Sequence, residues 1–322
     1  MTKKLGFTMA EIVLSLTIIG VVAAITLPSL MANINERTWN TQRKALYARM
    51  SQALSIMPQM GGYGKVTEEG GSITEDTAAE AFLTEGLSKV LKINNICDSD
   101  HLADCGVPTS YTNMAGSTIT WPKTIGAWND HFVGFSSAFD WDDDGTKEAS
   151  YSYSQPNTKA AAFETQNGET IALYYNPNCR DSAGDVWHYS QGRMCANFVY
   201  DLNGNKGPNM VGKDIGFITA LYNNDTNIVA PMPLSTNAKS GATMAQTAAS
   251  VACTEQDPNS RIPNIDELTS MYYNKDLVGI SSGTFWSGSV VSASSAWYQS
   301  FYTGYRYPGT RSNSYYVRCV QR

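Results

Sequence analysis

Asp and Asn alternate in two stretches of this chain. Asp140-Trp141-Asp142-Asp143-Asp144-Gly145 sets carboxylates at alternate positions before a glycine. Asp201-Leu202-Asn203-Gly204-Asn205-Lys206-Gly207-Pro208-Asn209 repeats the spacing with amides, and Asp214 follows. Oxygen-bearing side chains at alternate positions can converge on one hard cation such as calcium, and the glycine permits the sharp turn. In the first stretch the twelfth position is Tyr151 rather than Glu, so a full EF-hand loop is absent. Each stretch also reads as a plain turn, solvated in the first case and shaped by Asn and Gly backbone geometry in the second. Calcium at Asp140, Asp142 and Asp144, and at Asp201, Asn203 and Asn205, stands here as an expectation beside that reading.

Other chemistry finds little support. His101, His131 and His188 lie far apart and none has metal-ligand spacing; no Gly-x-Ser-x-Gly, P-loop or His-Glu-x-x-His occurs. Scattered His and Ser more often serve surface or core than a catalytic set, so the chain reads as a protein without enzymatic activity. Trp286, Trp297, Tyr298, Phe301, Tyr302, Tyr305 and Tyr307 form an aromatic cluster that could stack on sugar rings, though most of it suits a core. The stretch Tyr302–Arg311 mixes aromatics, two arginines and turn residues, and Tyr305, Arg306, Tyr307 and Arg311 are its candidate ligand patch. The net charge is −6, which argues against nucleic-acid binding by bulk charge. Six cysteines with no Cys-x-x-Cys pair favour disulfides over metal or redox work. Cys97 and Cys105 bracket a short polar loop and are expected to pair. Cys179 and Cys195 are expected to staple a loop between two strands.

The elements that would carry these groups begin with a long helix. From Phe7 to Leu27 only Glu11 is ionisable, and that length matches the roughly 20 residues that cross a bilayer core. Lys3 and Lys4 precede it, which by the positive-inside rule leaves residues 1–6 in the cytoplasm. A carboxylate within such a span is costly and by default functional. Trp39, Leu46, Met50, Ala53, Leu54 and Met57 continue a helical stripe until Pro58 and Gly61-Gly62. A helix from 7 to about 57 would be near ~75 Å long, apolar all round and then amphipathic. Ala78–Leu91 reads as a second amphipathic helix. Short β-prone runs follow at Thr118–Trp121, Phe132–Phe135, Thr170–Tyr175 and Phe198–Tyr200. A Pro- and Ser-rich stretch, 230–241, marks a boundary. Beyond it come a helix up to Cys253, a second helix capped by Asn264 with Asp266 and Glu267 in its first turn, and strands at Thr284–Val291, Trp297–Tyr302 and Tyr315–Val320.

Lys3-Lys4-Leu5-Gly6, then Phe7-Thr8-Met9-Ala10-Glu11 and the apolar run to Pro28, resembles the leader and first helix of type IV pilins and pseudopilins. The resemblance implies cleavage after Gly6 by a prepilin peptidase, an N-methylated Phe7, and an assembly role for Glu11, whose charge would meet the Phe7 amine of a neighbouring subunit. Met9-Ala10 stands where Leu-Ile or Leu-Val is usual. A stretch similar to FVYDLNGNKGPN…GKDIG recurs in large pilin-like proteins, and pseudopilin heads carry calcium in loops of this appearance.

The end of the chain resembles the lectin-like domain of bacterial collagen-like adhesins. The residues concerned are Arg261-Ile262-Pro263-Asn264, Phe285-Trp286-Ser287-Gly288 and Tyr316-Val317-Arg318-Cys319-Val320, with departures at Ile262, Asn264, Phe285 and Gly288. That implies a C-type-lectin-like fold with Cys253 tied to Cys319, without implying calcium-dependent sugar binding. The expected fold is therefore α+β. It has a leader (1–6), a transmembrane and polymerisation helix (7–60), a β-rich pilin head (61–229), a linker (230–241) and a lectin-like domain (242–322). The expected protein is a minor or tip subunit of a type IV pilin-like filament with an adhesive role, first a single-pass inner-membrane precursor and then at the cell surface. Its partners would be other pilin subunits, the prepilin peptidase, an inner-membrane assembly platform, and a surface glycan or protein ligand. The alternatives are a pseudopilin of a secretion or DNA-uptake machine, and an anchored enzyme exported by a pilin-type leader.

Overall fold

The computed structural model describes residues 8–57, 77–122, 159–175, 193–223, 226–232, 243–280, 282–302, 304 and 306–321. Residues 1–46 and 47–322 form two compact units.

Helix α1 runs Met9–Ile56. Its side chains are described at 9 and 10, over 12–25 and again from 35. Over 12–25 they are apolar on every side and exposed, as at Leu14, Ile19 and Ile25. Among the described residues no helix is long and apolar enough to cross a membrane. This overturns the first element of the expected fold class, the membrane span, and with it the expected single-pass inner-membrane precursor. From 35 onward the helix carries Glu36, Arg37 and Lys44, charges that a bilayer core does not accept. What remains is a mixture of helices and sheets.

The larger unit is built on a six-stranded antiparallel sheet, in the order β1 (Ile93–Cys97), β4 (Ala161–Thr165), β5 (Thr170–Tyr175), β6 (Arg193–Asp201), β7 (Ile215–Asn223), β8 (Thr226–Pro231). The sheet is covered on both faces. On one, Phe82 lies 4.5 Å from Tyr175 and 6.2 Å from Phe198, ring centre to ring centre. On the other, Tyr174, Val199, Phe217 and Leu221 share an apolar cluster with Leu268 and Met271 of a later helix. All six residues of β5 are buried, so these strands carry no simple inside–outside alternation.

The end of α1 is fixed to this sheet. Met50, Ala53, Leu54 and Met57 are buried, and the Tyr47 hydroxyl donates to the Val229 carbonyl at 2.9 Å. Arg49 forms an ion pair with Glu169 in the β4–β5 turn. The expected helix over 78–91 is one helical segment of changing pitch: α2 (Ala78–Ala81), a π turn (Phe82–Gly86) and a 3₁₀ turn (Leu87–Lys89). A Cβ at Gly86 would stand 2.7 Å from the terminal methyl of Met57, so that flexible side chain would have to shift to admit one.

The hairpin β2 (Ser110–Thr112) and β3 (Thr118–Thr120) flanks the sheet. After residue 242 a second sheet of five strands has the order β13 (Arg306–Thr310), β12 (Ser295–Ser300), β11 (Thr284–Val290), β14 (Tyr315–Tyr316), β9 (Thr243–Met244). Helices α3 (Gln246–Gln256), α4 (Ile265–Tyr273) and α5 (Lys275–Val278) accompany it, and β10 (Ser260–Arg261) pairs with β15 (Val320–Gln321). Asn264 caps α4 in a reciprocal capping box with Glu267. A local core of Ala249, Cys253, Ile262, Trp286, Val317 and Cys319 holds this part together. Helix α4 also packs on β7 and β8, so the residues on either side of 230–241 share one apolar core.

Candidate cation-binding loop

Strand β6 lies between β5 and β7, and its last residue, Asp201, stands opposite Thr170 on one side and Ile215 on the other. A carboxylate at the end of a central strand is thereby enclosed, and Asp201 is 1% exposed. The chain then loops through 202–214 before returning as β7. Gly204 and Gly207 take the left-handed conformation, which costs glycine nothing. Asn209 adopts it too, at φ 53°, a region Asn tolerates better than most residues.

Asp214 shapes the far side of the loop. Its carboxylate accepts the backbone N–H groups of Asn209 and Met210, each at 2.9 Å, and its carbonyl accepts from the Leu202 N–H at 3.0 Å. Asp214 is fully buried. On the near side, Asp201 Oδ1 accepts from the Asn203 N–H at 3.0 Å, and Asn203 Nδ2 donates to the Gly207 carbonyl at 2.8 Å. The Asn209 carbonyl accepts from Thr112 N–H at 2.8 Å, and Val211 N–H donates to the Thr112 carbonyl. The loop is thus stapled to β2. Through Thr170, whose hydroxyl donates to the Cys105 carbonyl at 2.9 Å, the disulfide-closed segment of Cys97 and Cys105 meets the same sheet edge.

Three oxygens in this network have no partner: Asp201 Oδ2, Asn203 Oδ1 and Asn209 Oδ1, all buried. A buried polar atom left unsatisfied costs about 1–3 kcal/mol, and an unpaired buried carboxylate more. Burial pushes the Asp201 carboxyl up to about 7; the Asn203 N–H opposes that shift and the nearby Asp214 charge adds to it. The donor set is carboxylate plus amide, all hard oxygen. That suits Ca²⁺ rather than a thiolate- or imidazole-seeking metal. Among the described residues no group of three or more His, Cys, Asp or Glu is placed to hold a metal, so a cation here would draw on amide oxygens. Asn205, counted with Asp201 and Asn203 from its spacing, is exposed. Asn209 supplies the buried oxygen instead. Its backbone conformation singles it out, and alternation alone could not.

The other expected sites fall as follows. Asp140, Asp142, Asp144, Gly6, Phe7, Tyr305 and Cys179 lie outside the described residues, and Glu11 lies within α1 but its side chain is not described. Arg306 is corrected: it is 3% exposed, paired with Asp266 at 3.3 Å and bonded to the Thr269 hydroxyl at 3.2 Å. Burial lowers its pKa against the opposing pull of Asp266. It is a core residue, so the patch loses its central cation. Tyr307 is exposed. Arg311 donates to Gln246 Oε1 at 2.9 Å and to the Ala293 carbonyl at 3.3 Å. Cys97–Cys105 and Cys253–Cys319 are disulfides, and Cys195 is disulfide-bonded. His101 sits on the surface against Asp98 at 2.8 Å. No model of a known protein family matches the chain, and no curated protein matches its sequence.

Proposed function

We propose that this chain is a structural subunit of a type IV pilin-like filament, held together by the apolar first part of α1, with residues 47–322 as its head. The observation that carries this reading is the helix surface over 12–25. Leu14, Leu16 and Ile19 are more than half exposed, and Ile25 is 72% exposed. A helix apolar on every side requires cover, and each such side chain gains about 1.5–3 kcal/mol when fully buried. Copies of the same helix packed side by side supply that cover. The sequence Gly6-Phe7 before it, with Glu11 in the first turns, supports processing by a prepilin peptidase and registry between Phe7 and Glu11 of neighbouring subunits. The large head supports a minor or tip position, where exposed aromatics such as Tyr302 and Tyr307 would contact a surface ligand.

The test is N-terminal mass analysis of the protein in sheared filaments, together with electron microscopy of Glu11→Gln. N-methyl-Phe7 in filaments, and their loss in Glu11→Gln with a normally folded head, is the expected result. A chain that keeps residues 1–6 and never enters filaments overturns the proposal.

A further inference from the structure

We infer that Trp286, Tyr315, Tyr298 and Tyr307 form a relay that carries a one-electron oxidation from the interior of the five-stranded sheet to its surface, with Tyr307 as the residue on which the radical settles. The reactant is a one-electron oxidant; light absorbed by the indole, with dissolved oxygen as the electron acceptor, is one source. The inference concerns the head alone and stands whether or not the chain polymerises.

The four rings make an unbroken series. Trp286 on β11 stands opposite Tyr298 on β12, and Tyr298 opposite Tyr307 on β13, so the three form a cross-strand row on one face of the sheet. Tyr315 of β14 lies beside the row, 4.7 Å from Trp286 and 4.8 Å from Tyr298, ring centre to ring centre. Trp286 is 6.3 Å from Tyr298, and Tyr298 is 6.5 Å from Tyr307. These are spacings of packed aromatic pairs, and electron transfer, which weakens steeply with distance, has only short steps to make. Gly309 assists: a Cβ there would stand 2.8 Å from the Tyr298 ring. Exposure rises along the series. Trp286 is fully buried in a local core with Cys253 and Cys319, Tyr315 and Tyr298 are half-buried, and Tyr307 is 40% exposed. A second series, Tyr273, Tyr272, Phe301, Phe285 and Tyr316, has ring centres 4.9–5.8 Å apart. Two phenylalanines interrupt it, because a benzene ring gives up an electron far less readily than a phenol or an indole.

Proton acceptors set the end point. A phenol oxidised at neutral pH must lose its proton. The Trp286 Nε1–H donates to the Met244 carbonyl at 2.9 Å, and a carbonyl does not take that proton. The Tyr298 hydroxyl is hydrogen-bonded to that of Tyr315, and the Tyr315 hydroxyl accepts from Asn313 Nδ2 at 3.2 Å; phenol and amide are not bases at this pH. Tyr307 meets water, which is. The balance is then complete. Trp286 gives one electron to the oxidant. Tyr307 returns one electron to Trp286 through Tyr298, its O–H bond breaks, and the proton passes to water. The indole is restored and a neutral phenoxyl radical remains at Tyr307.

The experiment uses the full chain, irradiated in the near ultraviolet in aerated buffer with a nitroso spin trap. Peptide mass mapping then reads the trap adduct on each tyrosine and the oxidation of Trp286. Three variants are compared: Tyr298→Phe, which keeps the ring and breaks the series; Tyr307→Phe, which removes its exposed end; and Tyr302→Phe, outside the series although Tyr302 is 82% exposed. In the wild type the adduct should favour Tyr307 over the more exposed Tyr302. Tyr298→Phe should lower the Tyr307 adduct several-fold and raise Trp286 oxidation. Tyr307→Phe, a change at an exposed ring that leaves the fold in place, should also raise Trp286 oxidation, and Tyr302→Phe should change neither. An adduct pattern that follows exposure, with Tyr302 ahead of Tyr307, overturns the inference. So does Trp286 oxidation that stays at the wild-type level in Tyr307→Phe.

Discussion

Asn197 and Asn274 exchange two amide hydrogen bonds, at 2.8 and 3.0 Å, across a fully buried contact between β6 and the end of α4. The pair is closed on itself by neighbours. The Thr219 hydroxyl donates to Asn197 Oδ1 at 2.9 Å and lies 2.7 Å from the Ser270 hydroxyl, and Asn274 Nδ2 also reaches the Ser270 carbonyl. Polar groups in such a network fix one arrangement of the elements they join, because any other leaves them unpaired. Here they join the six-stranded sheet to the part of the chain after residue 242. Asn274→Ala should destabilise the head by about 1–3 kcal/mol, the cost of orphaning a buried amide. Asn197→Ala should cost a similar amount. The double variant should fall short of the sum, with a coupling of about 0.5–3 kcal/mol. Urea unfolding of the four proteins measures this cycle, and additive losses would show that the network is not cooperative.

Cys253 and Cys319 close a loop of 66 residues. Chain-entropy arguments give a cross-link of that span about 4 kcal/mol. Cys253→Ser/Cys319→Ser should therefore lose far more stability than Cys97→Ser/Cys105→Ser, whose separation is 8. Unfolding transitions of the two double variants under oxidising conditions provide the comparison.

Arg306 is a buried cation whose carboxylate partner, Asp266, is partly exposed. Removing the partner takes the carboxylate away from an enclosed guanidinium that also donates to the Thr269 hydroxyl. Replacing the cation with an apolar side chain of similar length removes the problem. Asp266→Ala should thus destabilise by about 1–3 kcal/mol, whereas Arg306→Met should cost less. The order of the two Tm values is the readout, and the reverse order would mean that the pair, not its burial, dominates.

His101 and Asp98 titrate as a surface pair. The side-chain hydrogen bond to Asp98, followed by its charge, raises the imidazole pKa above 6.5. The hydrogen bond from His101, followed by that from the Asp100 N–H, lowers the carboxyl below 3.8. The sign follows from linkage. The histidine contribution to stability is full below pH 6.5 and is lost as pH rises through the raised folded value. The aspartate contribution is present above pH 3.8 and is lost as pH falls through the lowered one. An NMR titration of the His101 ring should show its pKa drop in Asp98→Asn, and an unchanged value would remove the pair.

Some of this molecule was legible in the residues alone, and all of that part was local. Asn264 and Glu267 lie three apart, and that spacing is itself the capping box on α4. The stripe Met50, Ala53, Leu54 and Met57 marks a buried helix face by period. The π turn at Phe82–Gly86 was not visible as such. The segment reads as an ordinary helix, and the widening goes with Met57 packing against Gly86. Strand β7 is not legible in the sequence for a related reason. It is covered on both faces, so its sequence lacks the alternation that betrays a half-buried strand.

The sequence by itself determined the apolar first helix, the cysteine complement and the series of Asp and Asn residues that make the β6–β7 loop polar. Those properties depend on composition and short spacings. Tertiary structure alone decided which groups face inward. It brought Asn197 to Asn274 across 77 residues, turned Arg306 into the core rather than onto a ligand patch, and exposed Asn205 while burying the oxygen of Asn209. The reason is physical. Burial and hydrogen-bond satisfaction are set by what packs on each side of a residue, and in this head those neighbours come from segments far apart in the chain.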